Sequence, residues 1–455
     1  MGKLVYRKWL ATARSQASRT AIFQVDGRLL TFLDLMEGVE QRLEQFKDTA
    51  YWRHRAIAFQ FENSAEWLIT FLTCQALEAI ALPLDPDIPR DGITRILKTL
   101  RPAALWDKES IEPLNHSIKR APACLIKLTS GSSGLPKPLF FEDRHILADG
   151  KQIADTMNIG KGDTNLALIP FGHSYGLGNL IMPLIQLGVP MAICRDPFPY
   201  TIAHTIKQTG ATIVPTVPAI LKALAHSEIS PQELKGVRLW ISAGSPLSPN
   251  DAQNFHTKFR NHIHNFYGSS ETGGIAFDRT GHDTLSGRAV GTPLKDVRVS
   301  LSQSNRLRIC SRSVFIRGNR LKAGNFGSHL LTDEVDLLKD NSIVIHGRRG
   351  RVVKIGGKRV NLQEIERHLI NLEGVDEARV VDYVNQAGTT RLAVAIAPIQ
   401  NSSLAKEALK AHLPKWKIPD RWLTIESFPV NKRGKIHYSE IESHLQNRIT
   451  RRGKS

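Results

Sequence analysis

Short β-rich apolar runs alternate with amphipathic helical stretches through the first half of the chain, and this rhythm limits the fold more than any other feature. RHRAIAFQF, ending before Asn63, is followed by the helical AEWLITFLTCQALEA to Ala79, the run AIALPLD to Asp85, and the helical DGITRILKTL to Leu100. The pattern returns in TNLALIPFG, the apolar helix NLIMPLIQLG, PMAICRD, and the helix-then-strand pair TIAHTIKQTG and ATIVPTVP. Continuous apolar runs of strand length between helices predict α/β architecture with strands buried on both faces. From Asn305 the texture changes to short strands with turn residues, RLRICSRSVFIRGNR and KDNSIVIHGRRGRVVKIGGKRV. An α+β unit follows: helix NLQEIERHLINLE, strands EARVVDYV and RLAVAIAPI, helix SLAKEALKAHL. The expected fold is a large multi-lobed N-terminal α/β domain over residues 1–347 and a smaller α+β C-terminal domain over 348–455, with the hinge near Gly350.

A chain of 455 residues is too long for one compact core, which agrees with that division. The formal net charge is +18, and the segment from Arg349 to Ser455 carries 20 Lys/Arg against 11 Asp/Glu, a balance of +9. Such a field favours an anionic partner: a nucleotide, coenzyme A, an acidic carrier protein, anionic lipid or nucleic acid. No helix-turn-helix, RNP or zinc-finger pattern accompanies the charge, so nucleic acid is not the expected partner. Cys74, Cys124, Cys194 and Cys310 are far apart and form no CxxC pair; they read as buried thiols. No signal-peptide run opens MGKLVYRKWL, and no stretch approaches the roughly 18 uninterrupted apolar residues of a membrane span. A cytoplasmic protein is expected, with peripheral membrane contact left open.

The strongest local signal is TSGSSGLPKP, Thr129 to Pro138, which leaves the apolar ACLIKL as a loop of small residues. Glycine lets the backbone approach a ligand closely, and successive N–H and hydroxyl groups make a concavity suited to phosphate oxygens. It is not a Walker A loop. Lys137 stands between two prolines, so no helix opens where that loop needs one.

This loop resembles the signature of the superfamily that contains AMP-forming acyl- and aryl-CoA synthetases, peptide-synthetase adenylation domains and luciferases. Further stretches are similar to the family's motifs in the family's order. They are FENSAEWLITFLTCQALEAIALPLDPDIP from Phe61, PFGHSYGLG from Pro170, VRLWISAGSPLS from Val237, NFYGSSETGG from Asn265 and AVGTPLKDVRV from Ala289. LLTDEVDLLKDNSIVIHGRRGRVVKIGGKRVNLQEIE from Leu330 and FPVNKRGK from Phe428 complete the series.

The resemblance implies ATP-dependent activation of a small-molecule carboxylic acid with Mg²⁺, then transfer of the acyl group to coenzyme A or to the phosphopantetheine arm of an acyl carrier protein. It implies that Thr129, Ser130, Gly131, Ser132, Ser133, Gly134 and Lys137 cradle the β- and γ-phosphates. Gly244, Ser245 and Pro246 would border adenine, Tyr267 would lie against it, and Gly268 belongs to the same motif. Ser270 would bind the α-phosphate and Glu271 would hold Mg²⁺, a hard ion suited to one carboxylate plus phosphate oxygens. Asp333 would bind the ribose with Arg348 beside it, Asp336 being a competing candidate because the family's Thr-Gly-Asp reads Leu331-Thr332-Asp333 here. Lys435 would offset charge developing between carboxylate and α-phosphate. Rotation of a mobile C-terminal domain would then withdraw Lys435 and bring the hairpin near Lys354 to Gly357 toward the thiol.

His173 marks the acyl side. Amino-acid-activating relatives carry an aspartate next to the phenylalanine of this segment, whereas Gly172 follows Phe171 here, and a buried ammonium without a carboxylate is costly. With Tyr175 and the apolar NLIMPLIQL, this predicts a fatty or aromatic acid. The acceptor expected is coenzyme A, with carrier-protein loading as the alternative. A non-catalytic adenylate-binding protein is the more distant one.

Overall fold

The computed structural model describes all residues except 1, 47, 89, 108–109, 116, 121, 130–136, 304, 317–325, 349–350, 356–357, 386–388, 399–401, 431–435 and 452–455. Side chains are also undescribed at 348, 352, 354, 358, 359, 411, 412, 415, 439 and 446–451. Three sheets make up the larger part of the molecule. In the six-stranded sheet the order is Ile111–Pro113, Ala104–Trp106, Ala56–Phe59, Ile80–Pro83, Leu125–Thr129, Lys137–Phe141. Its central strands are parallel and its outer pairs antiparallel. Ala56–Phe59 and Ile80–Pro83 are buried along their whole length, as unbroken apolar runs between helices require.

The nine-stranded sheet runs Thr292–Pro293, Gly273–Phe277, Ile263–Ser269, Leu239–Ser242, Ile213–Thr216, Asn165–Ala167, Met191–Ile193, Thr20–Phe23, Leu29–Thr31. From Thr20–Phe23 to Ile263–Ser269 every pairing is parallel, so these strands send their C-terminal ends, and the loops after them, to one edge. Ligands of open α/β sheets collect at that edge. A four-stranded antiparallel sheet, Arg298–Leu301, Arg306–Ser311, Gly327–Leu337 and Ile343–Arg348, follows. The C-terminal part pairs Val352–Ile355 with Lys358–Asn361 and packs helices Leu362–Ile370, Ser402–His412 and Tyr438–Arg451 around a three-stranded sheet. It has apolar clusters of its own, as the change of texture after Asn305 leads one to expect. A large α/β domain followed by a smaller α+β one is thus the observed architecture.

Cys74, Cys124 and Cys194 are buried, Cys310 is partly so, and all four are free thiols. Burial pushes Cys74 up to about 12, so it stays protonated and inert. Among the described residues no helix is long and apolar enough to cross a membrane.

The helix Asp143–Met157 starts with a titratable cap. His145 Nδ1 accepts the backbone N–H of Glu142 at 3.0 Å, and burial, aided by the neighbouring Arg144, pushes the imidazole down to about 4. A base whose folded pKa is depressed stabilises the fold above its unfolded value near 6.5 and loses that contribution as pH falls toward 4. The midpoint of thermal unfolding should therefore fall between pH 6.5 and 4. His145→Gln keeps an acceptor at the cap but does not titrate, and should flatten that slope; equal slopes in both proteins would remove His145 from the cause.

Candidate active site

The phosphate-loop candidate leaves the six-stranded sheet and returns to it. Thr129 and Lys137 are register partners on adjacent antiparallel strands, and Thr129 Oγ1 donates to Lys137 O at 3.3 Å. Ser130, Gly131, Ser132, Ser133 and Gly134 lie outside the described residues. The loop's base is a strand pair, not the helix N-terminus of a Walker A site.

In the nine-stranded sheet, Leu239–Ser242 runs on into Ala243 and the exposed Gly244, Ser245 and Pro246. Gly244 has φ 91°, a conformation that favours glycine, and a side chain there would point toward Val217 Cγ1. The neighbouring strand carries Phe266, Tyr267 and Gly268, then turns at Ser270 and Glu271 and returns as Gly273–Phe277. At Gly268 a Cβ would lie 2.9 Å from Gly273 O, so the hairpin closes only over glycine. Ser269 Oγ accepts the Thr272 N–H at 3.2 Å, which tightens the turn around Ser270 and Glu271.

Two successive amides join this turn to the phosphate-loop strands. Phe315 N donates to Glu271 O at 2.9 Å, and Ile316 N donates to Phe140 O at 2.9 Å. The backbone at 315–316 thereby clamps the Glu271 turn beside the strand that returns from the phosphate loop. Ser313 Oγ adds a bond of 2.6 Å to Thr272 O. No side-chain pattern in the sequence marks this clamp, because it is made by main-chain groups in an irregular segment.

Asp333 is 8% exposed and is the register partner of Arg348 across the pair Gly327–Leu337 and Ile343–Arg348. Asp336, three residues on, is instead engaged by His346, whose Nε2 lies 2.7 Å from its Oδ2. Ile343 ties this sheet to the edge of the nine-stranded one through Val290 N to Ile343 O and Ile343 N to Gly291 O, each 2.9 Å.

His173 is directed elsewhere. Its Nε2 is 3.5 Å from Asp85 Oδ2, on the side of the six-stranded sheet. Asn63 pins the segment, accepting the Phe171 N–H and donating to Ile169 O, both at 2.9 Å. A Cβ at Gly172 would stand 3.2 Å from Pro83 Cβ, so packing as well as chemistry favours glycine there. Tyr175 is partly buried, with its hydroxyl lodged between the ends of two parallel strands: the hydroxyl accepts from Thr216 N and reaches Ile241 O, both at 3.0 Å, and the ring lies 5.7 Å from Phe266. Burial pushes its pKa well up, so it remains a neutral phenol.

Lys435 lies outside the described residues, as do Gly350 and Gly357, and the side chain of Lys354 is likewise undescribed. The segment holding Lys435 is bracketed by a bridge between Val430 and Ile436 and by His437 N donating to Pro429 O at 2.8 Å. Among the described residues no group of three His, Cys, Asp or Glu side chains converges as a metal site.

The chain is 24% identical to surfactin synthase subunit 2 of Bacillus subtilis over 96% of its own length and 14% of that protein's. It thus spans about one seventh of that relative. To 4-coumarate–CoA ligase 4 of Arabidopsis thaliana it is 23% identical over 97% of this chain and 91% of the ligase. Its fold matches the crystal structure of ATP-bound MatB from Rhodopseudomonas palustris with a TM-score of 0.86, at 16% identity, over 99% of this chain and all of that one. The family model described as AMP-binding enzyme matches residues 9–122 and 107–314, about two thirds of the sequence, so this chain belongs to the AMP-binding enzyme family.

Proposed function

We propose that the chain activates a carboxylic acid with ATP, forming an acyl-adenylate and releasing pyrophosphate, and then makes the thioester with coenzyme A. The observation that carries this reading is the backbone clamp at Phe315 and Ile316, which sets the Glu271 turn beside the base of the phosphate loop. A turn bearing a carboxylate, held beside the strand that follows a hydroxyl-rich segment, suits a magnesium-bound polyphosphate. Bound magnesium would supply neutralisation of phosphate charge.

The remaining work falls to this chain's own groups. Thr129, Lys137 and the loop between them hold the β- and γ-phosphates, and Ser270 orients the α-phosphate. Tyr267 and the Gly244-Ser245-Pro246 turn border adenine. The register of Asp333 with Arg348 supports Asp333 as the ribose acceptor. Lys435 offsets charge at the carboxylate and α-phosphate during attack. Residues 348–455 then turn about Gly350 relative to residues 1–347 and present the hairpin near Lys354 to the thiol.

For the acid, a fatty or aromatic group fits Gly172, His173 and the neutral phenol of Tyr175 better than an ammonium does. Carrier-protein loading is the second reading, favoured by the +9 balance after residue 348. Two of its lysines are paired locally with carboxylates that the balance already counts. Lys417 sits 2.8 Å from Glu364, and Lys410 is paired with Glu407.

The test is to supply ATP, Mg²⁺ and a panel of aliphatic and aromatic acids, with either coenzyme A or a pantetheinylated carrier protein, and to follow AMP release and thioester mass. The reading predicts an aliphatic or aromatic acyl-CoA. Thioester on the carrier protein alone would replace the acceptor, and an absence of AMP release with every acid would contradict the proposal.

A further inference from the structure

Two oppositely charged side chains are buried behind the Glu271 turn. Lys127, on the strand that ends at Thr129, is 3% exposed, with its Nζ 4.4 Å from the centre of the Phe141 ring. Asp149, on the helix Asp143–Met157, is 4% exposed. Burial lowers the Lys127 ammonium and raises the Asp149 carboxyl from their ordinary values, and each partly offsets the shift of the other. Buried charge is costly unless something compensates it, so its presence here calls for a structural reason.

The carboxylate is gripped by the hairpin. Asp149 Oδ1 accepts the Gly274 N–H at 2.8 Å, on the strand returning from the Glu271 turn. Gly273, with φ 73°, comes so close that a Cβ there would be 2.2 Å from Asp149 Oδ1, and one at Gly178 would be 3.1 Å from Oδ2. Gln152, on the same helix, makes a second strut: its Nε2 donates to Ser311 Oγ at 3.0 Å, Ser311 Oγ lies 2.8 Å from Ser313 Oγ, and Ser313 Oγ donates to Thr272 O. The helix therefore holds the chain that leaves the Ser270–Glu271 turn at two points, Thr272 and Gly274.

We propose that Asp149, with Lys127 as its buried counter-charge, is a positioning residue that locks the Ser270–Glu271 turn in place relative to the strand feeding the phosphate loop. The effect on turnover rests on the adenylating activity proposed above; the grip on the hairpin does not.

The experiment uses the full chain with Asp149→Ala, Asp149→Asn and the double variant Lys127→Met/Asp149→Asn. ATP–pyrophosphate exchange kinetics, amide hydrogen exchange across residues 266–277 and thermal unfolding are measured on each. Asp149→Ala should lower kcat by about tenfold or more with the KM for the acid nearly unchanged, as expected for a group acting on the transition state through others. It should also speed hydrogen exchange in the hairpin. Asp149→Asn keeps the Oδ1 acceptor and should restore hairpin protection and most of kcat, while the double variant should recover the stability lost by stranding Lys127. If Asp149→Ala does not fold, the Asn and double variants still decide the matter. Unchanged kcat and hairpin protection in Asp149→Ala would overturn the proposal, as would loss of kcat in Asp149→Asn with protection intact. If the unmodified protein shows no exchange with any acid, the activity reading has failed, and the hydrogen-exchange arm still tests the grip.

Discussion

Replacing Lys435 by alanine is expected to lower acyl-adenylate formation by about 10²-fold or more, while thioester formation from a supplied acyl-adenylate persists. The asymmetry follows from where charge changes. Attack of a carboxylate on the α-phosphate gathers negative charge between the two groups, and a compact ammonium there stabilises the transition state more than the ground state. In the proposed second step the thiol attacks a carbonyl and AMP leaves, and under the proposed rotation Lys435 would no longer face that reaction. Separate assays of the two half-reactions check this. Equal loss in both would remove Lys435 from the first step and reduce it to a structural or surface role.

The second large effect is expected at the metal. Glu271→Gln removes a charge and little volume from a turn whose backbone is fixed by Phe315, Ser313 and Asp149, so refolding of the turn is not the expected consequence. Contacts to a charged group are worth about 1.5–3 kcal/mol, which corresponds to a rise of roughly tenfold or more in the magnesium needed for half-maximal exchange. A titration superimposable on that of the unmodified protein would assign the ion to another carboxylate.

How far the sequence could be read depended on whether side chains or main chain made the contact. Ala56–Phe59 and Ile80–Pro83 were legible because burial on both faces forces unbroken apolar runs, and the helix Ala65–Ala76 because Ser64 caps it through the Trp67 N–H. The apolar stretch after His173 was legible as a helix but not in its detail. Residues Leu177–Ile181 form a π-helical segment between two α-helical ones, where Gly176 and Gly178 close on Pro170 O and Asp149. Only tertiary contact dictates that local widening.

The site shows the same division. Small residues after a buried strand, with a resemblance that covers Tyr267 and Glu271, led to the proposed phosphate and nucleotide site; the structure adds that Thr129 and Lys137 are paired on adjacent strands of one sheet. The clamp at Phe315 and Ile316 could not be seen, since amide hydrogens carry no residue signature. Lys127 and Asp149 were equally silent: a charged residue in a strand or helix is usually solvated, and only the fold reveals that these two are buried. Pairing of charge within the C-terminal part was hidden for a related reason. Lys417 and Glu364, 53 positions apart, meet only once the chain has folded.

The account turns on one claim, that this chain transfers AMP from ATP to a carboxylic acid, and isotope exchange between pyrophosphate and ATP measures the reverse of that step directly. Across a panel of aliphatic and aromatic acids, exchange should be silent without acid, should appear with at least one of them, should require Mg²⁺, and should not require a thiol. Exchange that is absent with every acid, or that proceeds at the same rate with none, would contradict it.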